Sequence, residues 1–209
     1  HFSNNLAAGA NYVLHNSLSS CKIAPQYNQF REILMKRRDF IGCALAIFAP
    51  TALAARRDPK LYAISFHHTH TSESLDITYR IGDDYQPGAL KKLNHFLRDH
   101  YTDEVTVIDP RLFDLLYALQ HKVGNPDGTF HIVSGYRSPQ TNARLRRASK
   151  RVAKRSLHMK GKALDVRLTK TRTSQLRDAA IRLRQGGVGY YRRSNFVHLD
   201  TGQVRRWGV

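Results

Sequence analysis

The sequence has very little cysteine, and the little it has lies near one end. Cys21 and Cys43 are the only cysteines among 209 residues, so the chain after Cys43 has no disulfide or thiolate metal site of its own. A metal bound there must be held by histidine and carboxylate side chains. With 41% hydrophobic residues and neither an internal repeat nor a low-complexity linker, the composition also excludes a disordered or fibrous protein.

Acidic residues are scarce as well. Asp and Glu number 16 against 34 Lys and Arg, which gives a formal charge of +18. Such an excess attracts an anionic partner but determines neither fold nor chemistry. From charge alone, the partner is nucleic acid, anionic lipid or a bacterial cell-wall polymer.

The chain also has no hydrophobic run of membrane-spanning length. Its short apolar run, Cys43 to Phe48, follows the basic segment Lys36-Arg37-Arg38 and precedes Ala52-Leu53-Ala54. These are the three parts of a cleavable export signal. The paired arginines before Asp-Phe-Ile further resemble a twin-arginine signal.

We therefore expect residues 35–54 to be a twin-arginine signal peptide and residues 1–34 to be an upstream extension outside the fold. Residues 55–209 are then the functional domain, located in the periplasm and without a membrane anchor once the signal is cleaved. An amphipathic anchor helix that stays attached is the alternative.

The sequence pattern of residues 55–209 predicts an α+β fold with an antiparallel sheet and flanking helices. Alternating apolar residues in 61–66 and 74–79 indicate a hairpin. Helical spacing and capping residues predict helices that begin near Pro87, Asp109, Ser138 and Thr173. Further strands are expected at 130–134, 163–168, 188–191 and 195–200.

The chemically informative residues are two histidines and an aspartate. His158 and Asp165 lie seven residues apart around Gly161, and His198 follows in the last predicted strand. A catalytic zinc site uses three such ligands and leaves a fourth position for water. Singly, each residue has an ordinary structural interpretation: a loop histidine, a turn carboxylate and a buried core histidine.

The whole pattern resembles the zinc D-Ala-D-Ala peptidases, a family that includes VanX-like dipeptidases and phage endolysins. Ser-x-His-x-x-Gly-x-Ala-x-Asp spans 156–165, and an aromatic-x-His follows at 196–198. The resemblance is strongest to murein endopeptidases and covers nearly all of residues 55–209. It implies the hedgehog/DD-peptidase fold and zinc ligation by His158, Asp165 and His198.

The same resemblance assigns substrate-contacting residues. Ser134-Gly135-Tyr136-Arg137-Ser138 is similar to a family segment whose arginine lies at the substrate carbonyl or carboxylate. Arg137 accordingly takes a catalytic and substrate-binding role, and Tyr136 and Ser156 are expected to contact substrate.

The chain departs from many family members at the general base. Where they carry a carboxylate or histidine just before the last zinc ligand, this sequence has Asn195 and Phe196. Asp200 shares a strand face with His198 and is the candidate base. Its alternative role is to accept a hydrogen bond that orients the imidazole of His198.

The implied function is a periplasmic zinc metallopeptidase that cuts peptidoglycan cross-links with a zinc-activated water. The ligands allow carboxypeptidase, 3-4 or 3-3 endopeptidase specificity, and the likeness to murein endopeptidases favours cleavage between diaminopimelate residues. A non-catalytic peptidoglycan-binding protein and a basic nucleic-acid-binding module are the alternatives, although an exported protein meets little nucleic acid. A basic run is expected either to steer the anionic substrate or to be a solvated face: Arg144, Arg146, Arg147, Lys150, Arg151, Lys154 and Arg155.

Overall fold

Eight strands form one sheet in this computed structural model, which describes residues 58–149 and 152–208. In chain order the strands are β1 Leu61–His68, β2 Ser74–Ile81, β3 Asp84–Tyr85, β4 Thr129–Ser134, β5 Ala163–Leu168, β6 Gly187–Tyr191, β7 Phe196–Asp200 and β8 Arg205–Trp207. Their order across the sheet is β3-β2-β1-β4-β5-β7-β6-β8. The expected signal peptide and upstream extension lie outside the described residues.

The helices confirm the predicted positions. They are α1 Pro87–Phe96, α2 Arg111–Lys122, α3 Pro139–Ala148 and α4 Thr173–Leu183, with a 3-10 turn at Leu157–Lys160. Pro87 and Pro139 each occupy the first turn of a helix, where the missing N–H costs nothing. Within the described part of the chain, none of these helices is long and apolar enough to cross a membrane.

The sheet is mixed, whereas the sequence predicted an antiparallel one. The α+β class is confirmed, and five of the seven strand pairings are antiparallel, but β1 pairs with β4 and β6 with β8 in parallel. The parallel β1–β4 pair is possible because β2, β3, α1 and α2 intervene and supply the long connection that parallel neighbours need.

One face of the sheet carries the hydrophobic core. Side chains of β4, β5 and β7 that face this way, such as Phe130, Val166 and Leu199, are fully buried together with Leu116 of α2 and Leu176 of α4. Because strand side chains alternate, the residues between them point to the opposite face. That opposite face carries the polar residues Asp165 and His198.

Candidate metal centre

Strand pairing places four of the site's positions in one row. Asp165 of β5 pairs with His198 of β7, His198 with Gly189 of β6, and Gly189 with Trp207 of β8. Ser134 of β4 continues the row on the other side of Asp165. The register of the sheet therefore brings together residues that are far apart in the sequence.

His158 reaches the row from the 3-10 turn. The Oγ of Ser156 accepts a hydrogen bond from the backbone N–H of His158 at 3.3 Å and caps the turn. Gly161 ends the turn with φ +62°, and a Cβ there would lie 2.2 Å from the carbonyl oxygen of Val107. Only glycine fits this position without strain, so Gly161 allows the chain to reverse between His158 and Asp165.

The three predicted ligands converge. One ligand atom from each of His158, Asp165 and His198 lies within 4.8 Å of the others. Nδ1 of His198 is 2.9 Å from Oδ1 of Asp165 and 3.1 Å from Nε2 of His158. All three residues are buried, with 2%, 6% and 8% of their surface exposed.

Hydrogen bonds on the far side of each imidazole fix which nitrogen faces the centre. Nδ1 of His158 lies 2.8 Å from the carbonyl oxygen of Gly135, which can only accept, so Nδ1 carries the proton and Nε2 presents a lone pair. Nε2 of His198 lies 3.1 Å from Oδ2 of Asp200, so Nε2 donates to that carboxylate. Nδ1 of His198 then faces Asp165 and His158.

Asp200 is fully buried behind the ring of His198. Its carboxylate accepts hydrogen bonds from both terminal nitrogens of Arg205, at 3.0 and 2.7 Å, and from the backbone N–H groups of Gly187 and Gly202. A Cβ on Gly187 would lie 2.4 Å from Oδ2 of Asp200, so that glycine makes room for the carboxylate. Burial alone would raise the pKa of Asp200, but the bonds from His198 and Arg205 hold it well below its usual range.

Burial and the interactions with charged neighbours also act in opposite directions on the pKa values of the three proposed ligands. Burial would raise the pKa of Asp165, yet the two histidines outweigh it and hold that pKa well below its usual range. Burial would lower the pKa of His198, but the bonds to Asp165 and Asp200 raise it to about 9. Burial dominates at His158 and lowers its pKa. The carboxylates are thus ionised and His158 is neutral near pH 7.

Of the predicted substrate-contacting residues, Arg137 and Ser156 line the pocket and Tyr136 does not. Arg137 lies beside the centre, with a terminal nitrogen 3.0 Å from Oγ of Ser134 and 3.4 Å from Oδ2 of Asp165. Tyr136 packs against the hydrophobic core instead, and its backbone N–H bonds the carbonyl of Leu97. Ser156 lines the same pocket as Arg137.

A pocket of about 370 Å³ opens onto the three ligands. Its lining includes Tyr191, Phe196 and Trp207, three aromatic residues from β6, β7 and β8. Asp200 does not line it, since its carboxylate lies behind His198. Asn195 adopts φ +53° and binds the hydroxyl of Thr173, away from the pocket.

The predicted basic run lies partly on α3 and partly in the segment that follows it. Arg155 lines the pocket, and the guanidinium of Arg144 stacks 3.6 Å from the ring of Tyr101. Arg146, Arg147 and Lys154 are exposed, while Lys150 and Arg151 lie outside the described residues.

Two histidines and a carboxylate at the floor of an open pocket could hold a metal ion in the arrangement that metallohydrolases use. The chain belongs to the family described as peptidoglycan L,D-endopeptidase MepK, whose model matches residues 56–207. The peptidoglycan L,D-endopeptidase MepK of Escherichia coli strain K12 is 42% identical over 167 residues, which cover 80% of this chain and 91% of that protein.

Other relatives give the same result. The MepK of Shigella flexneri is also 42% identical, over 80% of this chain and 91% of its own length. A relative from Haemophilus influenzae is 40% identical, over 80% of this chain and 90% of its own length. No solved structure matches the chain significantly.

Sequence reasoning did not find two parts of the site. The carbonyl of Gly135, which holds His158, belongs to the backbone and leaves no trace in residue type. Trp207 and Arg205 lie on a three-residue strand with no hydrophobic alternation. The one available signal was the alternating pair Gly187 and Gly189, which marks a strand face that must leave space for large neighbours.

Proposed function

We propose that this protein is a zinc-dependent peptidoglycan endopeptidase that cleaves an L,D-peptide bond between diaminopimelate residues of cross-linked stems. The observation that carries the proposal is the open His158–Asp165–His198 centre in a chain 42% identical to the L,D-endopeptidase MepK of Escherichia coli. Hydrolase, metallopeptidase and murein endopeptidase all follow from that family membership.

The donor set fits zinc. His158, Asp165 and His198 would hold the ion through two imidazole nitrogens and one carboxylate oxygen, the mixture found in catalytic rather than structural zinc sites. The hydrogen bonds to Gly135 and Asp200 already turn the correct nitrogens inward. When bound, zinc supplies Lewis acidity, which makes a water easier to deprotonate and polarises a substrate carbonyl.

Arg137 is the residue we assign to the substrate. It is the only arginine among the described residues that lines the pocket and bonds a ligand side chain, at 3.4 Å from Asp165. A guanidinium so close to the centre can bind the carbonyl or carboxylate of the peptide and stabilise negative charge that develops there. Ser156 contributes by positioning His158.

For Asp200 we propose the orienting role rather than that of general base. Its carboxylate is fully buried, is held by Arg205, and contacts Nε2 of His198, the nitrogen that faces away from the centre. A base must reach the reacting water, and the imidazole of His198 stands between Asp200 and the pocket. Asp200 is therefore a positioning residue.

The proposed setting is the periplasm, reached through the twin-arginine signal at 35–54. The partner is peptidoglycan, whose peptide carboxylates match the positive charge of the chain. No nucleic-acid partner and no lasting membrane anchor are part of the proposal.

The test is mass spectrometry of muropeptides after purified protein is incubated with intact peptidoglycan, with and without a zinc chelator. We expect chelator-sensitive loss of cross-linked dimers joined between diaminopimelate residues. Loss of another dimer type would reassign the bond. Unchanged muropeptides with protein bound to the sacculi would replace the enzyme with a non-catalytic wall-binding protein.

The matched variants are His158→Ala and His121→Ala. His158 is a proposed ligand, whereas His121 is an exposed histidine at the end of α2. We expect about one zinc per chain in the wild type and in His121→Ala, and loss of both zinc and hydrolysis in His158→Ala. Since His158 is buried, circular dichroism checks the fold, and Asp165→Asn provides a second ligand variant of unchanged size.

A further inference from the structure

Trp207 is the single tryptophan of the chain and lies at the metal centre. Its ring centroid is 5.1 Å from that of His198, and its side chain is partly exposed at the pocket. Trp207 belongs to the lining of the pocket, and aromatic side chains that line a pocket commonly contact its ligand.

The position of the indole is built into the sheet. A Cβ on Gly189 would lie 2.4 Å from Trp207, so the ring lies over the bare backbone of β6. Its Nε1–H donates to the hydroxyl of Tyr191 at 3.1 Å. Gly208 follows with φ +69°, and a Cβ there would lie 2.2 Å from the carbonyl of Tyr190. Gly189, Gly208 and the hydrogen bond to Tyr191 thus fix the position of the Trp207 side chain.

Tyr191 and Phe196 extend this apolar surface. Their rings stack at 4.5 Å between centroids with 17° between their planes, and both line the pocket. We call Tyr191, Phe196 and Trp207 the aromatic wall. The wall has three rigid rings with one phenol already engaged, so it suits the methylene groups of a substrate side chain.

Arg155 supplies the pocket's uncommitted positive charge. Of the arginines in the pocket lining, Arg205 is paired with Asp200 at 2.7 Å and Arg137 with Asp165 at 3.4 Å. Arg155 is exposed and has no ion-pair partner among the described residues. It is available to bind a carboxylate from a ligand.

We propose that the aromatic wall and Arg155 together bind the side chain adjacent to the scissile bond, with its methylenes on Trp207 and its terminal carboxylate on Arg155. The proposal rests on the proposed function and adds the specificity-determining residues to it. The recognised chemistry is an aliphatic chain ending in a carboxylate, which diaminopimelate provides. Because Trp207 lies against a metal ligand, its contact belongs to the peptide beside the cleaved bond rather than to the more distant sugar.

The first experiment uses the intrinsic fluorescence of Trp207 in the zinc-loaded protein. The probes are the peptidoglycan tripeptide stem that ends in diaminopimelate and the disaccharide without a peptide. We expect the tripeptide to change the emission in a saturable way and the disaccharide to leave it unchanged. A response to the disaccharide alone, or to neither probe in a protein that cleaves cross-links, overturns the proposal while the proposed function stands.

The second experiment separates binding from chemistry on purified cross-linked dimers. Trp207→Leu is expected to raise KM about tenfold with kcat within about twofold and zinc content unchanged. Tyr101→Leu removes an aromatic residue that is 50% exposed and outside the pocket lining, so its kinetics should match the wild type. Loss of zinc in Trp207→Leu would show a purely structural role and overturn the assignment.

The charge is tested by Arg155→Gln against Arg182→Gln. Both variants remove one exposed positive charge, but Arg182 lies on α4, outside the pocket lining. We expect Arg155→Gln alone to raise KM severalfold, with an effect that shrinks for a substrate whose terminal carboxylate is amidated. Equal effects of the two variants would reduce Arg155 to general electrostatic steering and contradict its assignment.

Discussion

The imidazole ring of His198 is held by a carboxylate at each of its two nitrogens. Nδ1 faces Asp165 at 2.9 Å, while Nε2 faces the buried carboxylate of Asp200 at 3.1 Å. An imidazole whose outer nitrogen donates to a carboxylate is fixed in tautomer and is a more basic ligand. The proposed metal site therefore depends on Asp200, which is not one of the three proposed ligands.

Asp200→Asn tests this dependence. The amide keeps the size of the side chain but removes the charge that fixes the His198 tautomer and pairs with Arg205. We expect zinc affinity to fall about 10- to 100-fold and hydrolysis to recover when zinc is added in excess. The measurement is competition with a chromogenic chelator alongside muropeptide turnover.

Asp178→Asn is the matched control, since Asp178 is a partly exposed carboxylate on α4 that pairs with Arg177. It should bind zinc as the wild type does. If Asp200→Asn instead kept full zinc affinity and lost turnover at every zinc concentration, Asp200 would be the general base after all.

Helix α3 begins at Pro139, two residues after Arg137, and its N-cap residue Ser138 is tied to the loop that follows α1. Oγ of Ser138 accepts the backbone N–H of Thr141 at 3.1 Å, and the backbone N–H of Ser138 donates to Asp99 at 2.7 Å. Both bonds are buried, so they anchor the start of α3 and with it the backbone next to Arg137.

Ser138→Ala should lower the free energy of unfolding by about 1 kcal/mol through loss of this cap. Urea denaturation followed by circular dichroism measures the change. Ser174→Ala, in the first turn of α4, removes a hydroxyl that caps no helix and should change stability by less than about 0.5 kcal/mol. Equal losses in the two variants would show that the Ser138 cap contributes nothing specific.

Elements with local signals were predictable from the sequence. Proline and serine at helix starts, and alternation in β1 and β2, are set by neighbours in the chain, and the structure has those elements where expected. The parallel pairing of β1 with β4 and the short strand β8 were not predicted, because their partners are distant in sequence and β8 has charged residues where alternation would be sought.

The candidate site likewise has residues that the sequence pattern predicts and contacts that only the folded sheet creates. His158, Asp165 and His198 could be proposed because their residue types and spacing resemble a family pattern, and the structure brings them together. The contact between Trp207 and His198 depends on the register of β6, β7 and β8. Register follows from pairing along the whole sheet, so it is not encoded in any one segment.

At the scale of the whole molecule, a buried histidine makes stability depend on pH. His68 is fully buried, and its Nδ1 accepts the backbone N–H groups of His70 and Thr71 at 3.3 and 3.2 Å. Burial, assisted by His100 and His70, lowers the pKa of His68 to about 4. The unfolded chain takes up a proton near pH 6.5, which the folded protein does not bind until about pH 4.

The contribution of His68 to stability is therefore complete above about pH 6.5 and is lost as the pH falls towards 4. Between pH 7 and pH 5 the wild type should lose about 2 kcal/mol more unfolding free energy than His68→Asn, whose amide oxygen can still accept the two backbone bonds. Urea denaturation at both pH values measures this difference. Parallel losses in the two proteins would assign the acid sensitivity to other groups.

One cross-strand row of the sheet holds the site in place; it runs through Ser134, Asp165, His198, Gly189 and Trp207. The strands of this row must keep their pairing, whereas the loops around the pocket can vary. The hydrogen-bonded ladder sets the spacing of the proposed ligands, so insertions in the turn at 192–195 between β6 and β7 would leave the centre intact while reshaping the pocket entrance. A protein engineer could therefore vary this entrance loop to redirect which peptide linkage is cut, without rebuilding the metal site.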